Sequence, residues 1–218
     1  MARGRHKAVR ANAEATQERI LDAATDLFAA MGYEATSLRQ IAATAGIDAA
    51  TLKYHFADKP ALFGEVYRRG HNEFLEAIDP FLENLDDVSS DEDLEVLLDD
   101  LVVTMHDFLE EHYAFVRLTL YRMLEDSADV ISIEEELQAI AISRIDARFR
   151  ELVERGFIRP VDTRALVVFL VASFTTWHVT GRVKANWLGN PALDTAAGRA
   201  RSEEFFVDLL RTYLSPEE

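Results

Sequence analysis

Apolar residues recur along this chain every three to four positions, in blocks separated by short polar stretches, and that period belongs to the α-helix rather than to a strand. Ile20, Leu21, Ala24, Leu27, Phe28 and Met31 form the first stripe, and Gly32 follows as a stop that can take a positive φ. Ser37 with Gln40 three residues on fits a capping box, and Leu38, Ile41, Ala42 and Ala45 make a shorter second stripe that ends at Gly46. Beyond that turn Asp48 can cap a third helix, about Ala49 to His55, with Ile47 placed to staple onto Leu52. Asp58 and Pro60 open a fourth helix, carried by Leu62, Phe63, Val66, Tyr67, Phe74, Leu75 and Ile78 to a kink or end at Pro80.

The rest of the chain keeps the helical period. Asp86 to Asp93 reads as an acidic linker, apolar spacing returns from Leu94 to about Leu109, and a break near Glu111 and His112 precedes a run from Phe115 to Leu124. Asp126 to Ser132 reads as loop, and Ile133 to Arg155 as a long amphipathic helix stopped at Gly156 and Pro160. Two last segments, Asp162 to about Leu188 and Arg199 to Leu214, flank the loop GNPALDTAAG. The expected fold class is all-α: a three-helix N-terminal bundle over residues 15–59 and a larger helical body over 60–218. Residues 1–14, with Arg3, Arg5, Lys7 and Arg10 and little to bury, are expected to be a disordered arm, either a solubilising tail or one that enters a minor groove.

Charge sharpens this division. The 218 residues carry a net charge of −16, an unpromising figure for a partner of nucleic acid. Residues 1–59, however, hold eight Lys and Arg against seven Asp and Glu, or +1, while the remainder holds fifteen against thirty-two, or −17. Phosphate would repel the second region, so a nucleic-acid face belongs in the first. The chain has no Cys, which excludes disulfides and thiolate metal sites and suits a reducing cytoplasm, the expected location. The longest apolar run, Ala165 to Phe174, is too short to cross a bilayer, so no membrane partner is expected.

Ser37 to Phe56 has the layout of a helix-turn-helix, two short helices hinged at a glycine. With Leu52 turned inward, the 100° step per residue sends Ala50 and Tyr54 outward and puts Thr51 and Lys53 on the flanks. Two alanines let such a helix sit deep in a major groove, and hydroxyl and ammonium groups beside them suit base edges or phosphates. Arg39 on the second helix and Lys59 at the start of the fourth are placed to grip phosphates.

Residues 16–66 resemble the DNA-binding domain of the TetR family of bacterial repressors, through ERILDAATDLFAAMGYEATSLRQIAATAGI, then TLKYHF, then the Asp-Lys pair leading into PALF. The resemblance implies a helical C-terminal domain that dimerises and often holds a small-molecule inducer. It also implies DNA contacts at Thr36 or Ser37, Arg39, Ala50, Thr51, Lys53, Tyr54, His55 and Lys59. His55 is equally readable as a packing or capping group. Lys53 stands where relatives often carry an aromatic residue, which replaces a stacking contact with an ammonium contact. The partner expected is double-stranded DNA, a palindromic operator with half-sites about one turn, ~34 Å, apart. The function expected is a transcriptional repressor released by a small, mostly apolar ligand; the alternative is a helical ligand-binding or interaction protein without useful DNA affinity.

Two helices are expected to make the homodimer contact, through Leu166, Phe169, Leu170, Phe174 and Trp177 on one and Phe205, Phe206, Leu209, Leu210 and Tyr213 on the other. These residues are alternatively monomer core. A ligand pocket is expected among Met105, Phe108, Phe115, Tyr121, Met123, Phe149, Phe174, Trp177 and His178, an aromatic and sulfur-bearing set that is alternatively core as well. No catalytic residue, metal or cofactor is expected: His106 and His112 are six apart and do not share a helix face as zinc ligands four apart would, and Glu134 to Glu136 read as a solvated face.

Overall fold

The structure is a computed structural model that describes residues 2–123, 130–181, 189 and 195–215, with side chains from Arg10 onward, Ile131 excepted. The described elements are α1 (Ala2–Ala35), α2 (Leu38–Thr44), α3 (Ala49–His55), α4 (Lys59–Asn84), a 3-10 turn (Leu85–Asp87), α5 (Asp91–Glu111), α6 (Tyr113–Arg122), α7 (Ile131–Glu154), α8 (Thr163–Val179) and α9 (Ala196–Leu214). No strand occurs among the described residues.

The head is built as its sequence signals direct. The Ser37 hydroxyl accepts the Gln40 amide at 3.3 Å while Gln40 Oε1 accepts the Ser37 amide at 2.9 Å, closing the capping box of α2. At its other end the Ile47 amide donates to the Ala42 carbonyl at 3.0 Å and the Gly46 amide to Ala43 at 3.2 Å, a Schellman stop. That stop needs a left-handed residue, and Gly46 supplies it at φ 67°. Asp48 and Asp58 cap α3 and α4 by accepting the amides of Thr51 at 2.7 Å and Ala61 at 2.8 Å. Ile20, Leu21, Ala24, Phe28, Ile41 and Leu52 are buried together, and Phe63 of α4 meets Phe28 edge-on at 5.3 Å between centroids.

The body wraps the rest of α4. α5 packs between α4 and α9, α7 lies against α4 and α8, and α6 lies along α1, so the head rests on both α4 and α6. Gly70 allows the α4–α6 approach, since a Cβ there would stand 2.3 Å from a ring carbon of Phe115. Arg69 ties α4 to α1 through Asp22 at 2.8 Å and Thr25 Oγ1 at 3.0 Å. A buried pair, Arg122 Nε to Glu134 Oε1 at 2.6 Å and Nη2 to Oε2 at 2.9 Å, joins α6 to α7. Its guanidinium lies 5.8 Å from the Tyr33 ring and 5.7 Å from that of Phe63, where head and body meet.

Several expectations change. Where a disordered arm was expected over residues 1–14, α1 begins at Ala2; the alanines and long charged residues there are good helix formers, and Arg10 pairs with Glu14 one turn on at 2.9 Å. Pro80 does not end α4, which continues to Asn84. The acidic stretch is only partly linker: Ser90 caps α5, and Asp91, Glu92 and Asp93 occupy its first turn, where the helix dipole favours negative charge. Glu134 is buried in its ion pair rather than solvated. The expected loop over 126–132 and the end of the segment from Asp162 lie mostly outside the described residues.

The dimer set divides. Leu166, Leu170, Phe174, Phe206 and Leu210 are buried in the core of the single chain, the alternative reading of this set. Phe169, Phe205 and Tyr213 on the same two helices are about half exposed, at 56%, 52% and 45%.

Candidate nucleic-acid interface and ligand cavity

α3 is held by a single buried anchor, Leu52, while Ala49, Ala50, Lys53 and Tyr54 face solvent and Thr51 is half-buried. Tyr54 is 84% exposed. His55 stands beside it with its ring edge-on to Tyr54 at 5.3 Å. Asp48 accepts the Thr51 amide, which holds its carboxyl below the usual carboxylate range, so the cap stays charged and α3 keeps its start. Arg39 and Ser37 are exposed on α2 and at its N-cap, next to this face.

Two of the residues expected to contact DNA are engaged within the fold. Thr36 is buried, and its hydroxyl donates to the Gly32 carbonyl at 2.8 Å and the Leu27 carbonyl at 3.2 Å, closing the turn after α1; no group remains for a phosphate. Lys59 Nζ donates to the Tyr33 carbonyl at 2.9 Å and the Glu34 carbonyl at 3.5 Å, and lies 4.1 Å from the centre of the Tyr33 ring. Its ammonium binds carbonyls in the short segment that follows the helix break at Gly32 (φ 80°), where carbonyls lack helical partners and attract a cation.

The body encloses a cavity of about 150 Å³ between α4, α5, α6, α7 and α8. Met105, Phe108, Phe115 and Met123 of the expected ligand set line it. Phe149 and Phe174 line a smaller adjoining cavity of about 40 Å³. Tyr121, Trp177 and His178 line neither: Trp177 stacks on Phe205 at 5.9 Å, and His178 lies near Tyr113 at 6.1 Å. Sequence reasoning missed the polar lining, namely His71, Thr119, Gln138 and Thr175. The signal for His71 was present, because it falls four residues after Tyr67 and three before Phe74 and interrupts an otherwise apolar stripe. His106 and His112, read from their spacing as unsuited to a zinc site, have partners within the fold: His106 bonds Ser202 Oγ at 2.8 Å across α5 and α9, and His112 lies 3.2 Å from Glu73.

Residues 20–66 match the family described as bacterial regulatory proteins, tetR family. Over 189 residues the chain is 30% identical to the HTH-type transcriptional repressor KstR2 of Rhodococcus jostii (strain RHA1), covering 82% of this chain and 83% of that protein. The chain belongs to the TetR family. A 55-residue stretch is also 42% identical to the HTH-type transcriptional regulator AcrR of Shigella flexneri, over 25% of this chain and 26% of AcrR. The fold extends the likeness: the TetR-family regulator PfmR of Thermus thermophilus aligns with TM-score 0.63 and 25% identity over 92% of this chain and 96% of PfmR. As a TetR-family member the chain is a DNA-binding transcriptional regulator and not an enzyme. Regulators of this family bind DNA and small-molecule ligands, typically as dimers. No described helix is long and apolar enough to span a membrane.

Proposed function

We propose that this TetR-family regulator is a cytoplasmic repressor that reads a palindromic operator with α3 of each of two subunits and leaves it when a small, mostly apolar ligand fills the body. The observation that carries the reading is the face of α3: Ala49, Ala50, Lys53 and Tyr54 stand free of the fold around one buried leucine, a slender surface that fits a major groove. In this arrangement Ala50 approaches the bases, Thr51 and Lys53 bond base edges or phosphate, and Tyr54 and His55 take the backbone. Arg39 and the Ser37 N-cap add phosphate contacts from α2. Residues 15–59 act as the reading head and 60–218 as the sensing and pairing body.

Dimerisation follows from the shortness of α3, which offers too few contacts for one subunit to hold DNA alone. Phe169, Phe205 and Tyr213, exposed on α8 and α9, are the surface for a two-fold contact that makes a four-helix interface. Ligand release then requires that the filled body favour a spacing of heads that no longer matches the operator, and α4, shared by head core and body core, carries that change. The name of KstR2 as a repressor supports the sign of regulation.

Fluorescence anisotropy with a selected duplex, repeated across salt, tests the reading. Arg39 and Lys53 of two subunits neutralise about four phosphates, so log affinity should fall against log salt with a slope of roughly −4. A flat response would contradict it. Charged substitution of Phe169 and Phe205 together should give monomers in sedimentation and abolish operator binding; dimers that persist would move the interface elsewhere.

A further inference from the structure

The 150 Å³ cavity is hydrocarbon over nearly all of its wall, yet its polar groups are not equally satisfied. Thr119 Oγ1 donates to the Phe115 carbonyl at 3.1 Å, and Gln138 Nε2 donates to the Tyr67 hydroxyl at 3.0 Å. His71 differs. Both of its ring nitrogens are buried, and among the described residues neither has a hydrogen-bond partner. Its ring is gripped instead by Tyr67, 4.9 Å away, and by Phe115 at 5.9 Å. A buried polar group without a partner is destabilising, and one that faces a cavity can be completed by a molecule bound there.

The chemistry of the missing partner follows from the ring. Burial lowers the His71 pKa to about 4, so near neutral pH the imidazole is uncharged and offers one N–H donor and one lone pair. A carboxylate or ammonium entering this cavity would lose its water and find no opposite charge on the ring. A hydroxyl suits it, since it can donate to the free nitrogen or accept from the N–H. Size narrows the class further, because a cavity of roughly 150 Å³ accommodates one benzene ring. The adjoining cavity of about 40 Å³ shares Phe74, Met105, Ile145, Val167 and Val171 with the first and leaves room for a short alkyl substituent.

We propose that the body binds a neutral phenol-type molecule, a single ring with a short alkyl group, whose hydroxyl bonds His71 while the ring and alkyl group fill the apolar cavities. As the identity of an inducer this rests on the ligand-released regulator reading above; as a binding site it stands on the cavity and His71 alone.

Isothermal titration of the full-length protein at neutral pH with 4-ethylphenol, ethylbenzene and 4-ethylbenzoate tests the proposal. 4-Ethylphenol should bind roughly three- to tenfold more tightly than ethylbenzene, the factor expected of one net hydrogen bond, and 4-ethylbenzoate no better than ethylbenzene. In His71→Leu the advantage of the phenol should vanish while ethylbenzene still binds. Equal affinity of wild type for phenol and hydrocarbon, tightest binding by the benzoate, an unchanged phenol preference in His71→Leu, or no binding of any of the three overturns the site. The wild-type comparison needs no variant, so it decides even if His71→Leu fails to fold. Saturation by 4-ethylphenol with no change in operator affinity would refute induction and leave the site standing.

Discussion

Replacing Lys59 by Met separates a structural ammonium from a phosphate-binding one. The substitution keeps most of the aliphatic stem and removes the charge that bonds the Tyr33 carbonyl at 2.9 Å and sits 4.1 Å from the Tyr33 ring. A hydrogen bond from a charged donor contributes about 1.5–3 kcal/mol, and a cation over an aromatic face about 0.5–1 kcal/mol where solvent reaches it. Lys59 is half-buried, so water takes over part of the loss, and about 2 kcal/mol of destabilisation is expected. For a chain of this size that corresponds to a fall in Tm of about 4–8 °C, measured by circular dichroism. At a temperature where both proteins are folded, the salt slope of operator binding should match wild type, whereas Lys53→Ala should make it shallower by about 2, one contact per subunit. A Lys59→Met protein with wild-type Tm and a slope shallower by about 2 would refute the assignment and return Lys59 to the DNA face.

Three further outcomes follow. Gly46→Ala meets no atom within 4 Å of the added Cβ, so its cost is the left-handed backbone alone, about 1–2 kcal/mol, and thermal unfolding should show a Tm lower by a few degrees; an unchanged Tm would mean the turn relaxes. Glu134→Leu removes the buried carboxylate that Arg122 Nε bonds at 2.6 Å and should cost about 3 kcal/mol in urea unfolding, part of it recovered in the double variant Arg122→Met, Glu134→Leu; equal losses in single and double variants would contradict coupling between the two side chains. His71 has its folded pKa depressed from 6.5 to about 4, so the unfolded chain binds more protons between those values. The stability it permits is complete above pH 6.5 and is lost as pH falls toward 4, on the order of 3 kcal/mol, and subtracting the urea-unfolding profile of His71→Leu should expose that term; superimposable profiles would show the ring is protonated as easily in the folded state as in the unfolded one.

What sequence disclosed was local. The capping box of Ser37 and Gln40, the Gly46 stop and the Asp48 and Asp58 caps are each settled within a few residues, and the structure has all of them. The orientation of α3 was equally legible, because one buried leucine and a 100° step fix the opposite face. The intramolecular partners of Lys59 and Thr36, at Tyr33 and Gly32, were not legible because they depend on how α1 ends, a three-dimensional fact that spacing does not carry. The same limit divided the apolar stripes of α8 and α9: period reveals which residues share a face, but whether Phe174 or Phe169 is covered depends on which helix arrives beside it. Glu134 misled because a run of three glutamates resembles solvated surface until α6 brings Arg122 against one of them. His71 was visible as an interruption in a stripe, but its meaning depends on a cavity assembled from five helices.

The central claim is that α3 of this TetR-family regulator reads the major groove. Selection of duplexes from a random pool, followed by anisotropy titration of the winning sequence with wild type, Lys53→Ala and Tyr54→Ala, tests it most directly. The expected outcome is a two-fold symmetric sequence with half-sites about 34 Å apart, and weaker binding by both variants with their folding intact. Enrichment of no sequence, or wild-type affinity in both variants, would contradict it.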